Sequence, residues 1–143
     1  MGYFKSYEIR WADIDPNNHV VHSKYYEFGA AVRISYFIDH GITMEVMREN
    51  GFGPILFREE CLFKKEIRFG DTLTIDIQLS KSKKDFSRWS MQHNLYIREN
   101  SLAAQIFIDG AWIDTKKRKL AFLPEGLYPA FEKMPKTENF SWL

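Results

Sequence analysis

Residues 23–39 read Ser-Lys-Tyr-Tyr-Glu-Phe-Gly-Ala-Ala-Val-Arg-Ile-Ser-Tyr-Phe-Ile-Asp, and their reading decides the fold. Between the first and last residue only Lys24, Glu27, Arg33 and Ser35 break the apolar run. A helix that is apolar nearly all round is buried on most sides. Ser23 is expected to cap it and Gly41 to stop it, and Thr43 to cap a second, short helix over Met44–Asn50 closed by Gly51. Ahead of this, residues 3–10 read as a first strand, and Asp13 to Asn18 is turn chemistry throughout. Everything after Pro54 reads as strand. In residues 71–79, Leu73, Ile75, Ile77 and Leu79 share one face, and in 86–98, Trp89, Met91, His93, Leu95 and Ile97 share another. Residues 102–113 are apolar on both faces, the pattern of a doubly covered central strand. Residues 55–69 read as a further strand. One dominant helix followed by four long strands predicts an α+β fold, an antiparallel sheet wrapped around that helix.

The chain has 143 residues, which predicts one domain over 1–143. Its net charge of +1 excludes a global field for nucleic acid or anionic membrane. Aromatic residues reach 16%, so a thick core, a subunit interface, or both are expected. The one cysteine, Cys61, excludes an intramolecular disulfide and a cysteine-cluster metal site. No apolar run reaches signal-peptide or membrane-span length, which leads us to expect a cytoplasmic protein.

The densest polar cluster, Asp13-Ile14-Asp15-Pro16-Asn17-Asn18-His19-Val20-Val21-His22, lies just before the long helix. A carboxylate and two imidazoles at a helix N-terminus bring together a base, proton carriers and free backbone N–H donors. Those donors, with the positive end of the helix dipole, can stabilise a developing oxyanion. Asp15 then activates water or attacks directly, and an N–H near His22 or Ser23 holds the carbonyl oxygen. The plainer reading gives these residues only Asx-turns and caps.

Several segments together make the chain resemble the hotdog-fold thioesterases, in particular the 4-hydroxybenzoyl-CoA thioesterase group. They are Arg10 to Pro16, the helix from Tyr25 to Arg33, Ile67-Arg68-Phe69-Gly70-Asp71-Thr72-Leu73, and Ala111-Trp112-Ile113-Asp114 followed by Leu123-Pro124-Glu125. The resemblance implies a hotdog fold and hydrolysis of an acyl-CoA thioester without metal or organic cofactor. It also implies an assembly of two subunits, or a dimer of dimers, with the active site at their boundary. The second aspartate of the family's Asp-x-Asp pair lands on Asp15, and a histidine seven residues on lands on His22. Where that group carries a small residue, this chain has Asn18. The stretch from Asp15 to Val20 is also similar to the Asp-x-Asn-x-His-Val of acyl-carrier-protein thioesterases, which adds Asn17 and His19 to the candidate machinery. The alternatives are therefore an acyl-carrier-protein thioesterase, a hotdog hydratase or dehydratase, and a non-catalytic acyl-CoA-binding domain.

Other candidates have plainer roles. Cys61 and His93 read as core residues, and the histidine spacing fits no zinc site. The basic residues Lys81, Lys83, Lys84 and Arg88, and likewise Lys116 to Lys119, read as solvated turns. In the functional reading, Lys81, Lys83, Lys84 and Arg88 clamp the phosphates of coenzyme A or a carrier.

Overall fold

A computed structural model describes residues 2–143. The long helix is present as α1 (Lys24–Asp39). It buries Tyr25, Gly29, Val32, Arg33, Tyr36 and Phe37, a stripe at helical spacing, and leaves the other apolar positions half-buried or exposed. The expected Ser23 cap is not made. That residue already has helical backbone angles and its hydroxyl caps nothing; instead the Val21 and His22 carbonyls accept from Lys24 N–H and Tyr25 N–H. The second helix, α2 (Met44–Asn50), follows its signals: the Thr43 hydroxyl accepts from Val46 N–H at 3.1 Å. Gly51 closes it at φ 68°, a left-handed conformation that glycine adopts without steric cost.

The strands are β1 (Phe4–Glu8), β2 (Phe52–Phe63), β3 (Thr72–Asp76), β4 (Gln78–Ser82), β5 (Arg88–Ile97), β6 (Ser101–Asp114), β7 (Lys119–Ala121) and β8 (Lys136–Trp142). They form one sheet. β6 lies between β2 and β5, β5 pairs with both β3 and β4, and these two pair outward with β1 and β8. Every pairing is antiparallel except β4 with β8.

The strand expected over 55–69 ends at Phe63, because Lys64 N–H and Lys65 N–H both donate to the Ala103 carbonyl and the ladder stops there. The strand expected over 71–79 is interrupted at Ile77. At this point the Asp76 carboxylate, not a backbone carbonyl, accepts from Asn94 N–H at 2.6 Å. The alternation survives the break: Leu73, Ile75, Ile77 and Leu79 are all fully buried. β6 is covered on both faces at Ala103 and Ala104 and again from Gly110 to Ile113, while Gln105, Phe107 and Asp109 are half-buried.

The reading of everything after Pro54 as strand fails at Glu125–Leu127, a 3-10 turn, and at α3 (Tyr128–Glu132). Pro129 sits in the first turn of α3, where its missing N–H costs nothing. Phe131 from α3 joins Phe37, Trp89 and Trp112 in an aromatic core cluster with ring centroids 5.5–6.1 Å apart.

Candidate active site

The loop before α1 is pinched shut by a two-residue antiparallel bridge. Asp15 N–H donates to the His19 carbonyl at 3.0 Å and Val21 N–H to the Asp13 carbonyl at 2.9 Å. Asn18 closes the turn at φ 67°, where asparagine is among the better-tolerated non-glycine residues. Val20 N–H donates to the Ile67 carbonyl at 2.7 Å, tying the loop to the segment after β2.

The two aspartates have different surroundings. Asp13 is buried, and its carboxylate accepts from Arg10 N–H at 2.9 Å, Arg10 Nη2 at 2.8 Å and Arg10 Nε at 3.3 Å. Those bonds hold its carboxyl below the usual carboxylate range. On Asp15, Oδ1 accepts from Asn17 N–H at 2.9 Å and from His19 N–H at 3.5 Å, so the Asx-turn is real. Among the described residues its Oδ2 accepts no hydrogen bond, and His19 Nδ1 stands 3.7 Å from it. One carboxylate is fully engaged in structure, and the other keeps an oxygen to spare.

Asp15, Asn17, His19 and His22 line one pocket of about 450 Å³ together with Tyr25 and Phe63. The four catalytic candidates expected from the sequence therefore line one pocket. Neither His22 N–H nor Ser23 N–H donates to another group among the described residues, which leaves two amides at the start of α1. Sequence reasoning missed Tyr25, Phe63, Lys64, Lys65 and Glu66. The charged run after β2 was a signal for the last three, hidden when 55–69 is taken as unbroken strand.

Lys81, Lys83 and Arg88 line a different hollow of about 500 Å³, which shares no residue with the Asp15 pocket, and Lys84 lines neither. Lys116 and Lys117 are exposed in a turn that their own N–H groups anchor on the Asp114 carboxylate. Cys61 is half-buried, and burial pushes its thiol up to about 11, so it is protonated at neutral pH. His93 is fully buried; its Nδ1–H donates to the Asp76 carbonyl at 2.9 Å and its Nε2 accepts from Arg33 Nη1 at 3.0 Å. Burial lowers its pKa to about 3, which keeps the ring neutral. Among the described residues no His, Cys, Asp or Glu group is arranged to hold a metal ion, and no helix is long and apolar enough to cross a membrane.

Comparison with solved structures finds the same architecture repeatedly. A Staphylococcus aureus protein solved in complex with CoA superposes with a TM-score of 0.86 at 17% identity, covering 96% of this chain and 88% of that one. A 1,4-dihydroxy-2-naphthoyl-CoA thioesterase from Synechocystis gives 0.81 at 16% identity, covering 93% and 97%. A DHNA-CoA thioesterase from Staphylococcus aureus gives 0.83 at 17%, covering 92% and 89%. At such identities the likeness carries the fold, and the fold is the hotdog. No curated protein matches the chain in sequence. The match to a family description carries the class, a thioester hydrolase. Residues 9–131 match the thioesterase-like superfamily, and the chain belongs to that family.

Proposed function

We propose that this chain hydrolyses acyl-CoA thioesters with Asp15 as the catalytic carboxylate, acting directly or through water. The observation that carries the reading is the spare Oδ2 of Asp15 in a pocket shared with both histidines at the start of α1. In this mechanism the thioester oxygen is held by His22 N–H and Ser23 N–H while Asp15 drives attack on the carbonyl carbon. The tetrahedral intermediate then expels the CoA thiolate; where Asp15 itself attacks, water next hydrolyses the mixed anhydride, which frees the acid and restores the carboxylate. Asn17 holds the loop around Asp15, and His19 and His22 orient the carboxylate or the water. The cations beside this pocket are Lys64 and Lys65, the latter bonded through Nζ to Ser101 Oγ at 2.5 Å. They take the phosphate-binding role in place of Lys81, Lys83, Lys84 and Arg88. The purified chain, given a panel of acyl-CoAs and a thiol reagent, should release free CoA catalytically. Binding without release would make it a non-catalytic module, and release only from acyl-carrier-protein substrates would move the carrier.

The reading includes a second copy of the chain. Among the described residues β2 pairs with β6 alone, leaving a twelve-residue edge with Leu56, Phe57, Leu62 and Phe63 exposed. A long apolar edge is a pairing hazard unless covered. Edge-to-edge pairing of two β2 strands covers it, and Phe63 also walls the Asp15 pocket. Light scattering at micromolar concentration should give at least twice the 17.0 kDa chain mass. An active monomer would remove the subunit boundary from the mechanism.

A further inference from the structure

One tyrosine lines the Asp15 pocket. Tyr25, in the first turn of α1, is only 4% exposed, and its ring is fixed edge-on against Phe63 with centroids 4.8 Å apart. Among the described residues its hydroxyl makes no hydrogen bond. Three buried polar side-chain atoms are both unpartnered and shut off from solvent: the Trp89 and Trp112 indole nitrogens and Thr137 Oγ1. The Tyr25 hydroxyl is not one of them, so it reaches open space, and the hollow that Tyr25 lines is the Asp15 pocket. Burial first, then Cys61, Asp15 and Glu66 close by, pushes its pKa up to about 12, so at neutral pH it keeps its proton and can donate.

The place of Tyr25 on the helix brings that donor to the amides at its start. Tyr25 N–H donates to the His22 carbonyl at 3.3 Å, so the two residues stand one turn apart on the same face. A helical side chain leans toward the N-terminus and covers the turn before its own Cα. The Tyr25 side chain therefore covers the turn that presents His22 N–H and Ser23 N–H. The pocket thus carries a free acceptor, Asp15 Oδ2, and a free donor, the Tyr25 hydroxyl, which do not bond each other. A hydroxyl bonded to the carboxylate would weaken it as a base; held apart, both serve a group placed between them. Thioester hydrolysis needs such a pair, a base or nucleophile at the carbonyl carbon and hydrogen bonds at its oxygen.

Resting on the thioesterase reading, we propose that the Tyr25 hydroxyl is a catalytic donor, the third on the thioester oxygen beside His22 N–H and Ser23 N–H. As the carbonyl carbon becomes tetrahedral its oxygen gains negative charge, and the bond from Tyr25 strengthens. The hydroxyl keeps its proton throughout, so no covalent bond is made or broken at Tyr25. Because the interaction is stronger in the transition state than with the bound ester, its contribution falls on kcat rather than on KM. The oxygen it serves is common to every acyl-CoA, so the contribution does not depend on the acyl chain.

Tyr25→Phe removes the hydroxyl and keeps the ring against Phe63. It should lower kcat about 10²-fold, the size of one lost oxyanion donor, and leave KM within about 3-fold. The factor should be the same for benzoyl-CoA and octanoyl-CoA. Its Tm should match that of unmodified protein, because the hydroxyl holds no protein group. A second readout needs no turnover. Infrared spectra of benzoyl-CoA labelled with carbon-13 at the carbonyl, bound to Asp15→Asn to slow hydrolysis, should show the carbonyl band below its position in water. Adding Tyr25→Phe should return it part of the way. An unchanged kcat overturns the inference, as does a raised KM with kcat kept, or a loss confined to one of the two esters, which would put the hydroxyl on the acyl group. A Tm lowered by more than about 4 °C, the size of one structural hydrogen bond in a chain this long, also overturns it. Hydrolysis by Tyr25→Phe at the unmodified rate removes Tyr25 from the mechanism and leaves the thioesterase reading intact. A carbonyl band that moves with Tyr25 in protein that hydrolyses no ester does the reverse.

Discussion

Asp15→Asn should lower turnover by at least about 10²-fold, the usual size of a lost general base or nucleophile. The fold should survive the change. Asp15 lies in a loop, and an amide oxygen can still accept from Asn17 N–H, the bond that shapes the turn. Asp13→Asn should behave in the opposite way, with lower thermal stability and little change in turnover per folded molecule. Its carboxylate is buried against Arg10, and the ion pair holds its pKa down. A depressed folded-state pKa contributes stability that is present above the ordinary carboxylate pKa and lost as pH falls through the folded value. Unmodified protein should therefore lose this contribution on acidification below about pH 4, and Asp13→Asn should show a flatter acid limb. Steady-state kinetics beside thermal melts separates the two aspartates. Near-native turnover in Asp15→Asn with loss in Asp13→Asn would reverse the assignment. Near-native turnover in both would end the proposal that a carboxylate of this loop performs the hydrolysis.

Gly110→Ala should destabilise the fold by roughly 3 kcal/mol, the upper range of core overpacking, and lower Tm by roughly 10 °C. A Cβ at position 110 would sit 2.6 Å from the Ile55 carbonyl oxygen and 2.6 Å from the Trp89 ring. Neither neighbour can yield. Ile55 belongs to β2, laddered along β6, and Trp89 is locked in the aromatic core. Gly126→Ala is the control, since nothing lies within 4 Å of its added methyl, and it should leave Tm within a degree or two. Calorimetric melts decide the matter, and an unchanged Tm for Gly110→Ala would mean that β2 and β6 are less closely held than described.

How much of this was legible beforehand varied with the range of the interaction. Helix α1 could be read because seventeen consecutive residues carried an apolar run with few breaks, and the inward faces of β3, β4 and β5 because alternation is local. The gathering of Asp15, Asn17, His19 and His22 was legible for the same reason: eight residues of chain cannot spread far. Other features had no local signal. Ser23 looked like a cap, yet the turn at Val21 and His22 supplies the carbonyls that start α1. The strand over 71–79 looked unbroken, because its interruption depends on Asn94 presenting an N–H to the Asp76 side chain from eighteen residues away. The helical turns after Pro124 were too short for any periodicity to declare itself.

The amino-acid order by itself determined the elements and the catalytic candidates: one helix too apolar to lie on a surface, strands alternating toward it, and an acid–histidine loop just ahead of it. These are properties of neighbouring residues, set by backbone geometry and by the loss of apolar surface to water. Tertiary structure alone decided that Asp13 is buried while Asp15 lies in the wall of a pocket completed by Phe63. It also decided that Lys64 and Lys65, not the Lys81–Arg88 turn, stand beside Asp15, and that the buried Arg33 of α1 bonds His93 of β5. Those facts rest on residues tens of positions apart, and such residues become neighbours only when the sheet closes over the helix.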